Sequence, residues 1–71
     1  MAVVYAAQIQ TAIKQAIYRS DNAVTRGELI EGVTLELGIE DERVIEQLDK
    51  LDRRGEVYHV GDGGDAEVRV P

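Results

Sequence analysis

LDKLDRRGEVYHVGDGGDAEVRV, residues 48–70, joins a charged helical pattern to two short valine-bearing runs. Glu56-Val-Tyr-His-Val60 and Ala66-Glu-Val-Arg-Val70 are rich in β-branched residues and roughly alternate, as strands with one buried face do. Gly61-Asp-Gly-Gly-Asp65 between them is turn chemistry, so the stretch predicts a β-hairpin over residues 56–70. An isolated hairpin is marginal in water and needs a surface to lie on. The rest of the chain must supply that surface.

Upstream, helical spacing dominates. Tyr5, Ile9, Ile13 and Ile17 recur every fourth residue, flanked by Ala12 and Ala16, which predicts an amphipathic helix over about 5–20. Ser20-Asp21-Asn22 are turn formers that end it. The opening Ala2-Val3-Val4 is compatible with either a helical extension or a loose start. Thr25 followed three residues later by Glu28 is a capping-box pattern and starts a second helix, about 26–37. Its buried face is marked by Leu29, Ile30, Val33 and Leu37, and Gly38 provides a left-handed end.

A third helix, about 41–54, carries Val44, Ile45, Leu48 and Leu51 on its apolar face and closes at Gly55. Only Gly38-Ile39-Glu40 separates it from the second, a tight helix-turn-helix connection. With Glu40 as N-cap, Ile39 is placed to pack against Val44 as a hydrophobic staple. Ala23-Val24 is too short for a free strand but suits a third strand beside the hairpin. Helix, short strand, helix, turn, helix, hairpin is the α+β order of a winged helix-turn-helix. The whole chain, 1–71, reads as one such domain.

Composition limits what so small a domain does. The chain has 71 residues, 44% of them hydrophobic, with neither Phe nor Trp and no cysteine, so stability rests on an aliphatic core rather than disulfides or thiolate metal sites. No apolar run approaches the roughly 18 residues of a membrane span, and no signal segment is apparent. Met1 reads as an ordinary start, and the cytoplasm is the expected location. The net charge is −6, and only two of the eight basic residues, Lys14 and Lys50, are lysine. Acid excess with scarce lysine resembles proteins of high-salt cytoplasms, where carboxylates keep the surface soluble.

Leu48-Asp-Lys-Leu-Asp-Arg-Arg-Gly-Glu-Val-Tyr58 resembles the end of the C-terminal winged-helix domain of archaeal minichromosome-maintenance helicases. In that family a helix ending in a leucine-and-basic stretch passes through Gly-Glu-Ile/Val-Tyr into the wing. Gly38-Ile39 and the acidic residue after it are similar to that family's turn between the second and third helices. His59-Val60 stands where the family usually has an acidic residue and a proline. The resemblance covers roughly residues 38–58 and implies a module of replication or transcription assemblies with no motor of its own.

Catalysis has few candidates. His59 and Ser20 are the single residues of their types. Phosphate-binding glycine patterns are absent. Asp62 and Asp65 are too few for a calcium loop, which takes six or more oxygens, and read as a solvated wing tip. No enzyme activity, metal or other cofactor is expected.

Binding is the remaining class. On a helical wheel Arg43, Gln47, Lys50 and Arg54 form one stripe of the third helix, and these side-chain types reach base edges and phosphates in a major groove. Glu42, Glu46, Asp49 and Arg53 form the neighbouring stripe. Two partner classes follow. The first is duplex DNA, contacted by the Arg43 stripe, weakly or within a larger replication or transcription complex. The second is a protein, including another copy of the chain in a homodimer, docked through residues off the apolar stripes: Tyr18 with Arg19, and Leu35.

Overall fold

The structure, a computed structural model, describes residues 3–71; Ala2 of the opening segment lies outside them. Three helices, α1 (Ala6–Arg19), α2 (Arg26–Leu37) and α3 (Asp41–Arg53), precede an antiparallel hairpin of β1 (Tyr58–Val60) and β2 (Glu67–Arg69), with a short 3₁₀ turn at Gly63–Asp65 between the strands. This is the α+β layout of a winged helix.

The helix ends follow from their capping chemistry. Thr25 and Glu28 form the reciprocal capping box, with the Glu28 amide donating to Thr25 Oγ1 at 3.2 Å and the Thr25 amide donating to Glu28 Oε1 at 3.2 Å. Gly38 ends α2 with φ +64°. Gly55, at φ +74°, ends α3 in a Schellman arrangement: the Gly55 amide donates to Asp52 O and the Glu56 amide to Leu51 O. At the end of α1 the left-handed positions are taken by Asp21 and Asn22, residue types that tolerate them. Asn22 also accepts the Val70 amide on its side chain at 3.0 Å, tying the chain's last strand to the first helix turn. Glu40 is the N-cap of α3, but its carboxylate makes no capping bond.

The hairpin pairs Tyr58 with Arg69, His59 with Val68 and Val60 with Glu67. On its other edge β2 meets residues 24–26: the Val68 amide donates to Val24 O, the Arg26 amide to Ala66 O, and Thr25 bridges Glu67. The expected third strand is thus a single bridge. The wing tip folds back onto α2 so closely that a Cβ on Gly27 would stand 3.3 Å from Gly64 O.

One core unites these elements. Ile9, Ile13 and Ile17 from α1, Leu29 and Val33 from α2, and Val44, Leu48 and Leu51 from α3 are buried together with Val57 and Val68. Burying a side chain of this size stabilises the fold by about 1.5–3 kcal/mol relative to leaving it exposed. Four residues read into the apolar stripes are not fully buried. Tyr5 is the exposed residue preceding α1, where its amide donates to Gln8 Oε1 at 2.7 Å. Ile30, Leu37 and Ile45 are half-buried; Ile30 and Leu37 pack against the edge of the core, and Ile30 and Ile45 line a groove between α2 and α3.

Candidate nucleic-acid interface

Within the Arg43 stripe of α3, Gln47 is buried while Arg43, Lys50 and Arg54 are exposed, and three of the four are bonded elsewhere in the molecule. Arg43 Nη2 donates to Val4 O at 2.6 Å, so the guanidinium fastens the segment leading into α1. Gln47 is buried, 6% exposed, and its Oε1 accepts from Gln10 Nε2 of α1 at 2.8 Å. Arg54 donates to Gln10 Oε1 at 3.3 Å and pairs with Glu56 at 2.5 Å. Lys50 is exposed and lies 3.6 Å from Glu46, one turn back on the same helix. Gln47 is therefore removed from the set able to reach a base: its burial under α1 leaves no path to a groove. Arg43 and Arg54 keep exposed surface but hold intramolecular acceptors.

The outermost row of α3 is then Glu42, Glu46, Asp49 and Arg53, all exposed. This row presents three carboxylates and one guanidinium to solvent, and carboxylates repel phosphate. Asp49 also takes Arg26 of α2 at 3.4 Å, which engages the base nearest the row. The wing's Arg69 is paired with Glu67 in the same strand.

Glu56 is the electrostatic hub where α3 passes into the wing. Lys14 of α1 bonds one carboxylate oxygen and Arg54 the other, both at 2.5 Å. The Lys14 hydrogen bond, then that of Arg54, holds the Glu56 carboxyl below the usual carboxylate range. Sequence reasoning missed this cluster and the Gln10–Gln47 pair. The available signal was on α1, where Gln10 and Lys14 stand four residues apart along one flank of the isoleucine row.

The catalytic candidates are also engaged. His59 is half-buried, with Nδ1 3.3 Å from Asp52 Oδ2, while Nε2 is buried without a partner among the described residues. Ser20 Oγ donates to Ile17 O at 2.9 Å, a helix-end bond. Asp62 and Asp65 are exposed in the wing turn.

Among the candidates for protein contact, Tyr18 and Leu35 are 65% and 75% exposed, and Arg19 lies 3.8 Å from Glu36 of α2. Val3 is exposed as well, whereas Val4 packs against the core.

Comparison with protein-family models, with curated proteins and with solved structures found no match to this chain.

Proposed function

We propose that this chain is a non-catalytic winged-helix module that acts through protein contacts, within replication or transcription assemblies, and does not itself read duplex DNA. One observation carries the reading: three of the four side chains suited to a major groove are bonded to α1, to the segment leading into it or to Glu56, and α3 turns a mostly acidic row outward. The resemblance of residues 38–58 to the helicase winged-helix domain supports the DNA-associated setting, as an analogy of fold and motif. The burial of His59 Nε2 and the bonding of Ser20 to a backbone carbonyl support a role without catalysis. The acid excess supports a high-salt setting.

Fluorescence anisotropy of a labelled duplex tests the reading at about 50 mM salt, where attraction to phosphate is strong. No saturable binding is expected. Binding that Lys50→Glu or Arg43→Glu abolishes would restore α3 as a reading helix.

A further inference from the structure

Between α2 and α3, on the side away from α1, runs a groove of about 590 Å³. Its floor is apolar: Ile30 and Ile45, both half-buried, with Gly27 lining one end. Thr34 also lines it, and its hydroxyl oxygen is buried with no hydrogen-bond partner among the described residues. Around this floor stand Glu31, Glu40, Asp41 and Glu42. Among the described residues, none of these four carboxylates has a base within 4 Å, although seven other ion pairs form across the molecule.

Local helix chemistry accounts for only part of this rim. Asp41 and Glu42 sit in the first turn of α3 and are favoured by its dipole. Glu31 lies in the middle of α2, where the dipole offers nothing, and Glu40 does not use its carboxylate as a cap. Of the bases nearby, Arg26 is held by Asp49 and Arg43 donates to Val4 O. An apolar floor ringed by uncompensated carboxylates is complementary to an apolar side chain flanked by cations.

We propose that this groove docks a short basic amphipathic segment of a partner protein, with one or two aliphatic side chains against Ile30 and Ile45 and Lys or Arg against the four carboxylates. The proposal rests on the protein-contact reading above and names the surface and the chemistry of the partner. A second copy of the chain does not fit: its net charge of −6 would set acid against acid. Nucleic acid fails for the same reason. The lining residues of α2 run from Gly27 to Thr34, about 10 Å at 1.5 Å per residue, so the occupant spans roughly two helical turns.

The test is a ¹⁵N–¹H NMR titration of the full chain with a synthetic helical peptide of about 14 residues. The peptide carries two leucines one turn apart among lysines, and a control peptide has glutamate at every lysine position. The lysine peptide is expected to shift the amides of Gly27, Ile30, Thr34 and Ile45 saturably, and the glutamate peptide to shift none. The paired charge reversal Glu31→Lys/Glu42→Lys is expected to weaken binding by about tenfold or more. Both positions are exposed, so the fold should persist, as the unchanged dispersion of the core amides would verify. Ile45→Ala weakens binding with the charges intact. No shift at millimolar lysine peptide, shifts confined to another face, or an affinity indifferent to the charge reversal would overturn the groove assignment while leaving the protein-contact reading in place. A parallel titration with duplex DNA that shifts α3 amides would overturn that reading instead.

Discussion

Gln10 on α1 and Gln47 on α3 are joined by a side-chain hydrogen bond of 2.8 Å at the edge of the core. The same Gln10 accepts from Arg54 on its carbonyl oxygen, so a chain of three polar side chains fastens the reading-helix position to the first helix. This contact ties the flank of α3 that carries Gln47 and Arg54 to α1. Alanine at Gln47 leaves the Gln10 amide without its partner and should cost about 1–3 kcal/mol. In a double-mutant cycle with Gln10→Ala, urea denaturation should reveal a coupling of about 0.5–1.5 kcal/mol. Additive effects would show that the bond contributes nothing to stability.

Two glycines should respond oppositely to alanine. Gly32 is exposed inside α2, and a Cβ there meets nothing within 4 Å. Gly32→Ala should stabilise the domain by about 0.5–1 kcal/mol, the usual helix-interior difference. In a domain of this size that raises the melting temperature by roughly 2–8 °C. Gly38 has equal space but sits at φ +64°, so Gly38→Ala should destabilise by about 1–2 kcal/mol. Thermal melts of the two variants that moved in the same direction would contradict the assigned backbone geometry.

Much of this fold was legible in the sequence because its signals are local. Thr25 with Glu28, Gly38 and Gly55 each specify a helix end through one or two side chains, and the isoleucine row of α1 specifies which face is buried. The binding surface was harder to read because it depends on distant partners. A helical wheel places Gln47 beside the apolar face, but only the crossing of α1 over α3 decides that the side chain is covered and meets Gln10. The wheel treats Ile45 as part of the buried stripe for the same reason, whereas in three dimensions it lines the groove between α2 and α3. The wing tip likewise reads as a solvated turn, and its return onto Gly27 becomes visible only in three dimensions.

Acid should loosen the junction of α1, α3 and the wing. Glu56 has its carboxyl held below the ordinary range by Lys14 and Arg54. A carboxyl whose folded-state pKa lies below its unfolded value stabilises the fold above that unfolded value, near 4.3, and the contribution is lost as pH falls through the folded pKa. The wild-type chain should therefore lose stability below about pH 4.3 more steeply than Glu56→Gln, which lacks this proton-linked contribution. Glu28, held low by its hydrogen bonds with Thr25, adds a second contribution of the same sign. Chemical denaturation between about pH 2.5 and 6 measures the difference, and parallel pH profiles for wild type and Glu56→Gln would rule out the Glu56 linkage.

Salt should act in the opposite sense from its usual weakening of ion pairs. The molecule measures 37 × 21 × 20 Å and carries a net charge of −6, including the four unpaired carboxylates around the α2–α3 groove. At about 0.01 M salt the Debye length is roughly 30 Å, so nearly every carboxylate repels every other across the whole domain. At about 1 M it falls to roughly 3 Å, and only contacts such as Lys14–Glu56 persist. Exposed ion pairs contribute little individually, so screening removes more repulsion than attraction and the fold gains stability as salt rises. The melting temperature should climb with KCl up to molar concentration. Neutralising the groove rim with Glu31→Gln, Glu40→Gln and Asp41→Asn should raise the low-salt value and flatten the climb. A melting temperature that stays level below 1 M KCl would show that the remaining pairs already balance the repulsion, and would remove the argument for a high-salt setting.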